Sequence, residues 1–243
     1  MEEIVLLGEL QMKNNDYLNQ ISPQVEEFRQ EFRENKIPWW YVPEAHIGTN
    51  IVVILAVFTY CFINISSPSF LELLMIPLMF IGGNFFVWVF HRYPLHRPFK
   101  IMPMAYKIHT LAHHHFYTDE AIIYRDKKDF IILFFPVHFV LPVNGVLFPL
   151  LGYFLREYGL LSANASYLMI FMAALYLVLY EVFHFVSHLP TDAKILSIPI
   201  FRNAWRSHRL HHTHKYMGRY NFNIVVPIFD KLFGTYLKEP PTK

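Results

Sequence analysis

Ten histidines of the chain fall into four tight groups, and each group borders a long apolar run. The groups read HRYPLH at 91–96, HTLAHH at 109–114, HFVSH at 184–188 and HRLHH at 208–212. Imidazole is a borderline-soft nitrogen donor that suits iron, zinc, copper or nickel. Because ten donors exceed the needs of one ion, the pattern predicts a site for two metal ions. The predicted ligands are His91, His96, His109, His113, His114, His184, His188, His208, His211 and His212.

Three pairs of these histidines have helical spacing. Residues three or four apart share one helix face, so both imidazoles of such a pair can converge on one ion. The pairs are His109 with His113, His184 with His188, and His208 with His211. His114 and His212 each follow a partner directly, so each points about 100° round the helix and can reach a second ion or the far side of the first.

The first group needs a bend to work as a metal site. His91 and His96 are five residues apart and would diverge on an unbroken helix, but Pro94 between them predicts a bend that turns both inward. The remaining histidines do not fit the spacing. His115 and His214 are expected to support the ligands or lie at the surface, although the run 113–115 leaves its register open. His46 and His138 are expected to be hydrogen-bonded structural residues.

Glu181 is the candidate catalytic carboxylate. It lies three residues before His184, on the same helix face, where it can ligate a metal or accept the second N–H of a ligating histidine. A carboxylate near the membrane interface that reaches water is the alternative. Weaker candidates on the same side of the membrane are Asp119, Asn221, Asn223 and Asp230.

The elements that must position these residues are membrane helices. The chain of 243 residues is 54% hydrophobic and 18% aromatic, with a mean hydropathy of +0.26, which is too apolar for an ordinary soluble domain. About twenty apolar residues cross a bilayer. The predicted spans are 47–65, 70–90, 130–155 and 166–186, and the prolines of the third predict either a kink or two half-length segments.

The sequence before the first span predicts one further helix. Residues 22–41 begin with Ser22-Pro23 and carry an apolar stripe at helical spacing. We expect an amphipathic helix that lies on the membrane surface or packs on the protein's own extramembrane part. The sequence therefore divides into an N-terminal segment, 1–45, and a membrane domain, 46–243. The acidic segment 1–17 predicts no signal peptide.

Charge places the histidines on one side of the membrane. If all four spans cross, both termini and every histidine group share one side, which also holds all 21 Lys and Arg residues except Arg156. The positive-inside rule makes that side cytoplasmic, in a bacterial inner membrane or an ER-type membrane. The sequence predicts an all-α multi-pass protein with about four spans and a cytoplasmic helical cap. A net charge of +2 without a basic stripe gives no indication of nucleic-acid binding.

The four motifs together resemble those of the fatty acid hydroxylase superfamily of membrane di-metal oxygenases. The resemblance rests on H-x4-H, H-x3-HH, H-x3-H and H-x2-HH in this order, and on the closing stretch NFNIVVPIFDKLFGTY at 221–236. It covers about residues 50 to 238. The second motif has a three-residue gap where several members have two. The superfamily includes sterol desaturases and methyl oxidases, fatty acid 2-hydroxylases and, more distantly, carotenoid hydroxylases.

The resemblance implies a histidine-bound di-iron centre that uses O2 to attack an unactivated C–H bond of a lipid. The outcome is hydroxylation or, alternatively, desaturation or a carotenoid-type hydroxylation. Because the chain has no dinucleotide, flavin or heme motif, its electrons are expected from a separate ferredoxin, rubredoxin, cytochrome b5 or reductase. The basic residues Arg202, Arg206 and Arg209 are a candidate docking patch, and anionic lipid headgroups are an equal alternative.

Zinc-dependent functions are the rivals from other classes. Imidazole suits zinc as well as iron, so a zinc hydrolase or a zinc-binding transporter stays open. A transporter places ionisable residues near the bilayer midplane in several spans, and here the candidates at depth are few: Glu72, His138 and Glu181. The single Cys61 provides neither a disulfide framework nor a thiolate zinc site.

Overall fold

The computed structural model of the protein describes residues 21–239. All regular secondary structure in this range is helical, so the predicted all-α class is confirmed. The prediction that the chain has no signal peptide concerns residues 1–17, which lie outside the described residues.

The helices that position the site are numbered α1 to α8 in chain order. They are α1 (Pro23–Asn35), α2 (Pro43–Asn64), α3 (Phe70–Leu95), α4 (103–116), α5 (Lys127–Glu157), α6 (Ala163–Ser187), α7 (Pro199–His212) and α8 (Ile228–Leu232). A short 3₁₀ turn, Lys194–Ser197, precedes α7.

Four of these helices, α2, α3, α5 and α6, are long and apolar enough to cross a membrane, as predicted. Each helix differs from its predicted span by a few residues at one end or at both ends. Helix α5 is irregular, because residues 134–136 are not helical and the segment Leu141–Leu147 is a π-helical turn that contains Pro142. Proline removes a backbone donor, so both irregularities lie where the prolines of the third span interrupt the regular helical hydrogen bonds. The four helices are consistent with an integral membrane protein.

Local sequence signals explain where several helices begin. Pro23, Pro43 and Pro199 occupy the first turn of α1, α2 and α7, where a missing N–H costs no hydrogen bond. Helix α3 begins with a capping box: the Ser69 hydroxyl accepts a hydrogen bond from Glu72 N, and Ser69 N donates to the Glu72 carboxylate at 2.6 Å. Glu72 therefore caps a helix. This role leaves fewer ionisable residues as candidates for the midplane site that a transporter needs.

The chain divides into two compact units. Of the described residues, 21–39, 87–133 and 182–239 form one, and 40–86 and 134–181 form the other. We call the first the histidine unit and the second the span unit. Helices α3, α5 and α6 each contribute residues to both units.

The span unit has a small apolar core and an apolar exterior. Its buried core residues are Ile54, Val57, Cys61, Val140, Met169, Ile170 and Ala174. Large side chains such as Phe62 and Leu78 are exposed, as expected for helices that contact lipid. His46 Nε2 donates to Phe135 O at 3.0 Å, and its Nδ1 accepts from the Tyr41 hydroxyl at 2.8 Å. The predicted structural role of His46 is therefore confirmed.

Helix α1 packs within the histidine unit. The Phe32 and Phe116 ring centroids are 5.4 Å apart, and Arg33 Nε lies 2.8 Å from an Asp129 carboxylate oxygen. These contacts show that the helix packs on the protein itself, which agrees with the second of the two predicted placements. The division of the chain at residue 45 stays a prediction.

A tight contact between α3 and α6 in the span unit gives a stability prediction. A Cβ at Gly83 would lie 2.6 Å from Cγ of the buried Tyr176 ring, whereas a Cβ at Gly82 would meet no atom within 4 Å. We expect Gly83→Ala to lower the free energy of unfolding by about 1–3 kcal/mol, because the ring must move. Thermal unfolding in detergent measures this, with Gly82→Ala as the matched control. Equal midpoints for the two variants would contradict the packing.

Candidate metal centre

Nine of the ten predicted ligands gather in two groups within the histidine unit. In each group the candidate ligand atoms all lie within 4.8 Å of one another. The first group comprises His91, His96, His109, His114 and His211. The second comprises His113, His188, His208 and His212. All are buried except His96, which is half-buried.

Within each group the imidazoles meet through their Nε2 atoms. In the first group the Nε2–Nε2 distances are 2.9 Å for His91 and His109, 2.9 Å for His96 and His211, 3.2 Å for His96 and His109, and 3.1 Å for His109 and His114. In the second they are 3.2 Å for His188 and His208 and 3.0 Å for His208 and His212. Nitrogens that bind one ion at about 2.1 Å lie about 3.0–3.4 Å apart, so the spacing fits a shared ion.

Backbone carbonyls fix the orientation of five of these nine rings and of His184. The pairs of Nδ1 and carbonyl are His91 with Phe222, His113 with Ile132, His184 with Leu133, His188 with Ile122, His211 with Tyr220 and His212 with Tyr117. A carbonyl oxygen only accepts, so each Nδ1 carries the proton and donates it. Each Nε2 therefore keeps its lone pair, which is the tautomer that binds a metal.

The lone pairs cannot satisfy one another. His188 and His212 both present Nε2 lone pairs to His208 Nε2, which carries at most one proton and so serves only one of them at a time. His113 Nε2 is buried and has no hydrogen-bond partner in the described part of the chain. Buried acceptors without donors are costly. A cation bound between these nitrogens removes that cost, so the residues present fit a metal ion in each group.

Burial also keeps the imidazoles in the form that binds metal. It lowers the pKa of His109, His114 and His208 well below the usual range, and the neighbouring imidazoles lower it further. For His211, burial lowers the pKa to about 3. A histidine must lose its proton to ligate, so these side chains are ready to bind at neutral pH.

A π-helical turn in α3 brings the first motif into the first group. Residues His91–Leu95 form this turn, and Pro94 lies inside it. A π turn spans more residues than an α turn, so side chains five apart come to share a face. His91 and His96 are five apart and enter the same group, in agreement with the predicted bend.

A second π-helical turn, Lys107–His113 in α4, corrects the predicted pairing of the second motif. The prediction set His109 and His113 on one ion, but the structure pairs His109 with His114, five residues on, and turns His113 to the second group. The prediction assumed the α-helical period, and the register of the run 113–115 follows from the wider π turn.

Helix α7 is a regular α-helix, and its pairing also differs from the prediction. His208 shares the second group with His212, four residues on, while His211 joins the first group. The prediction paired His208 with His211. The spacings of three and four both satisfy an α-helix, so only the position of the two groups decides between them.

His184 lies beside the second group without belonging to it. Its ring centroid is 4.9 Å from those of His113 and His188 and 5.0 Å from that of His208, and the side chain is buried. Its role as a ligand stays a prediction.

Glu181 belongs to the span unit, and its carboxylate accepts a hydrogen bond from Phe135 N at 3.0 Å. The role of accepting the second N–H of His184 goes to Leu133 O instead. No metal-binding group in the described part of the chain includes Glu181. Its catalytic role stays a prediction.

The closing stretch around residues 221–237 supports the first group. Asp230 accepts hydrogen bonds from Phe222 N, Asn223 N and the Thr235 hydroxyl, and Asn221 bonds both backbone groups of Leu237. This network holds Phe222 O against His91 Nδ1 at 2.6 Å. Three of the four weaker candidates thus act as scaffold.

The remaining predicted positions lie at the surface. Asp119, His115, His138 and His214 are exposed and belong to neither group, so the expected structural role of His138 is wrong. Sequence reasoning missed the carbonyls that orient the rings, because backbone atoms carry no residue signature. It also missed Arg29 of α1, which is fully buried although the sequence placed it in a charged helix.

The model of the family described as Fatty acid hydroxylase matches residues 76–235, about two thirds of the chain. The chain belongs to the fatty acid hydroxylase family. All ten predicted ligands lie within the matched residues. None of the curated proteins and none of the solved structures matches the chain.

The structure explains how this member of the fatty acid hydroxylase family accommodates its longer second motif. H-x3-HH in α4 and H-x2-HH in α7 differ by one residue, yet in both the first and last histidines share a group and the middle one joins the other. The extra residue lies in the π-helical turn of α4. One-residue insertions of this kind are what π turns absorb.

Deletion of Leu111 tests this account. Leu111 is exposed in the π turn, and its removal shortens the motif to H-x2-HH, which a regular α-helix presents correctly. We expect the deletion variant to retain the metal content of the wild type, measured by atomic absorption on purified protein. Deletion of Leu210 in α7 leaves H-x-HH, which no helix presents correctly, and should abolish binding. Equal loss in both variants would refute the π-turn account.

Proposed function

We propose that the protein is a membrane-bound di-iron oxygenase that hydroxylates a C–H bond of a lipid with O2 and electrons from a separate protein. Family membership supports a hydroxylase or desaturase-type oxygenase. The observation that carries the proposal is the convergence of nine imidazoles in two groups, five of which have their Nε2 lone pair fixed inward by a backbone carbonyl. Iron is the proposed metal, and zinc fits the same donors.

The first histidine group would hold one metal ion, and the second histidine group would hold the other. When bound, the two ions would supply O2 activation and the oxidation of an unactivated C–H bond. The protein holds five of the nine rings by their Nδ1–H groups and excludes water, since eight of the nine imidazoles are buried.

The substrate class and the sidedness follow from the membrane helices. The apolar exterior of the span unit favours a substrate that resides in the bilayer, such as a fatty acyl or sterol-like chain. The bias of Lys and Arg supports a cytoplasmic histidine unit with both termini on that side.

The test begins with metal content and O2 consumption. Purified full-length protein should contain about two iron ions per chain and consume O2 when given reductant and lipid. His113→Ala and His188→Ala should lower metal content and reduce turnover more than about 100-fold, because even residues that only orient metal ligands cost 10–100-fold. The exposed His115→Ala and His214→Ala are matched controls from neighbouring positions and should retain activity.

Two outcomes separate the rivals. Stoichiometric zinc in protein from metal-replete cells, with no oxygenase activity after iron reconstitution, would refute the proposal and favour a zinc hydrolase or transporter. Mass spectrometry of the lipid product distinguishes hydroxylation, which adds one oxygen atom, from desaturation, which removes two hydrogen atoms.

We propose that the electron donor docks on α7. Arg202, Arg206 and Arg209 lie on this helix, which also carries three of the imidazoles. Arg209 stacks over the Trp205 ring at 4.6 Å, and Arg202 Nε donates to Leu196 O at 2.9 Å, so both guanidinium groups are held in place. A short path from this surface to the ligands suits electron transfer.

Charge reversal tests the docking patch. We expect Arg206→Glu to lower the rate supported by a reduced ferredoxin several-fold at low salt, because complementary charge governs association, and to leave the dithionite-supported rate unchanged. Lys128→Glu, an exposed cation elsewhere in the histidine unit, is the control. If both variants respond alike, or if Arg206→Glu changes only binding to anionic vesicles, α7 is not the donor site.

A further inference from the structure

Arg29 is a buried cation at the centre of α1. Its side chain is fully buried, and in residues 21–239 no carboxylate lies within ion-pair distance of it. The buried Asp129 carboxylate interacts electrostatically with Arg29 but forms its ion pair with Arg33. Burial lowers the pKa of Arg29 to about 10, so the group stays charged at neutral pH. Burial of a charged group without a direct ion pair costs free energy, so other interactions in the fold must offset that cost.

The guanidinium binds a loop that has no regular secondary structure. Arg29 Nε donates to Phe116 O at 2.7 Å, and Nη2 donates to Ala121 O and, at 3.4 Å, to Ile123 O. The guanidinium carbon of Arg29, Cζ, lies 4.9 Å from the Phe116 ring centroid and 5.2 Å from the Tyr117 ring centroid. Residues 117–126 are not helical, so their buried carbonyls depend on donors from elsewhere in the fold.

The same loop orients two histidines of the second group. Tyr117 O accepts the hydrogen bond from His212 Nδ1, and Ile122 O accepts that from His188 Nδ1 at 2.7 Å. The carbonyls that Arg29 holds are the immediate neighbours of these two: 116 precedes 117, and 121 and 123 flank 122. Movement of the loop would therefore turn both imidazoles.

We infer that Arg29 is a positioning residue for the second metal site, through the carbonyls of the loop at 116–123. The inference rests on the proposed function, since it assigns the second histidine group to a metal ion. Arg29 lies outside the residues that match the family. A planar guanidinium reaches three carbonyls at once, whereas a lysine ammonium does not reproduce that fork.

The test measures each group separately. His96→Ala cripples the first group and leaves the second to report, and His208→Ala does the reverse without freeing a backbone carbonyl. Arg29→Met and Arg29→Lys are then introduced into each background in the full chain. Binding of Co²⁺ is titrated in detergent and followed by its visible absorption. The probe is the metal ion alone, so no substrate or donor is needed.

We expect Arg29→Met to weaken Co²⁺ binding 10- to 100-fold in the His96→Ala background and to leave it unchanged in the His208→Ala background. Arg29→Lys should give an intermediate loss in the first case, because charge is kept and the fork is lost. Arg33→Met is the matched control: it loosens the same helix without touching the loop carbonyls and should affect neither background selectively.

Three results would overturn the inference. Equal weakening in both backgrounds would show that Arg29 supports the whole unit rather than one site. Unchanged affinity in both would show that the loop holds its carbonyls without Arg29. Wild-type protein that binds no Co²⁺ or Fe²⁺ would remove the proposed function together with the inference, which separates that failure from the other two.

Discussion

The centre depends on which nitrogen of each imidazole carries the single proton. A neutral histidine has one N–H and one lone pair, and a ring that donates through Nδ1 must present a lone pair at Nε2. Carbonyls from widely separated parts of the histidine unit make this choice for most of the ligands. The rest of the unit is arranged to hold those carbonyls: the Asp230 network holds Phe222, and the loop at 116–123 holds Tyr117 and Ile122.

The sequence predicted the membrane helices and the histidine clusters because both depend on local patterns. Runs of apolar residues specify spans, and histidines at short spacing in four places indicate shared ligation. The grouping of the ligands was less accessible. His109 pairs with His114 through a π-helical turn, and no residue type marks that turn in the sequence. His208 pairs with His212 rather than His211, which the α-helical period alone does not decide.

Residues that act through the backbone were beyond sequence reasoning for another reason. Any residue except proline offers the same N–H and every residue the same C=O, so Ile122, Ile132 and Leu133 carry no sign that their carbonyls orient histidines. Arg29 was hidden in the opposite way. Arginine side chains are rarely fully buried, so nothing in the sequence marked Arg29 as an interior residue.

The inward-facing lone pairs tie folding to the supply of metal. Where two or three unprotonated nitrogens meet in a buried space, each repels the others until a cation lies between them, so ion binding and the closed arrangement of α3, α4 and α7 stabilise one another. Protein without bound metal would then unfold more readily than protein with the ions in place, so metal supply would act on the stability of the chain as well as on its chemistry.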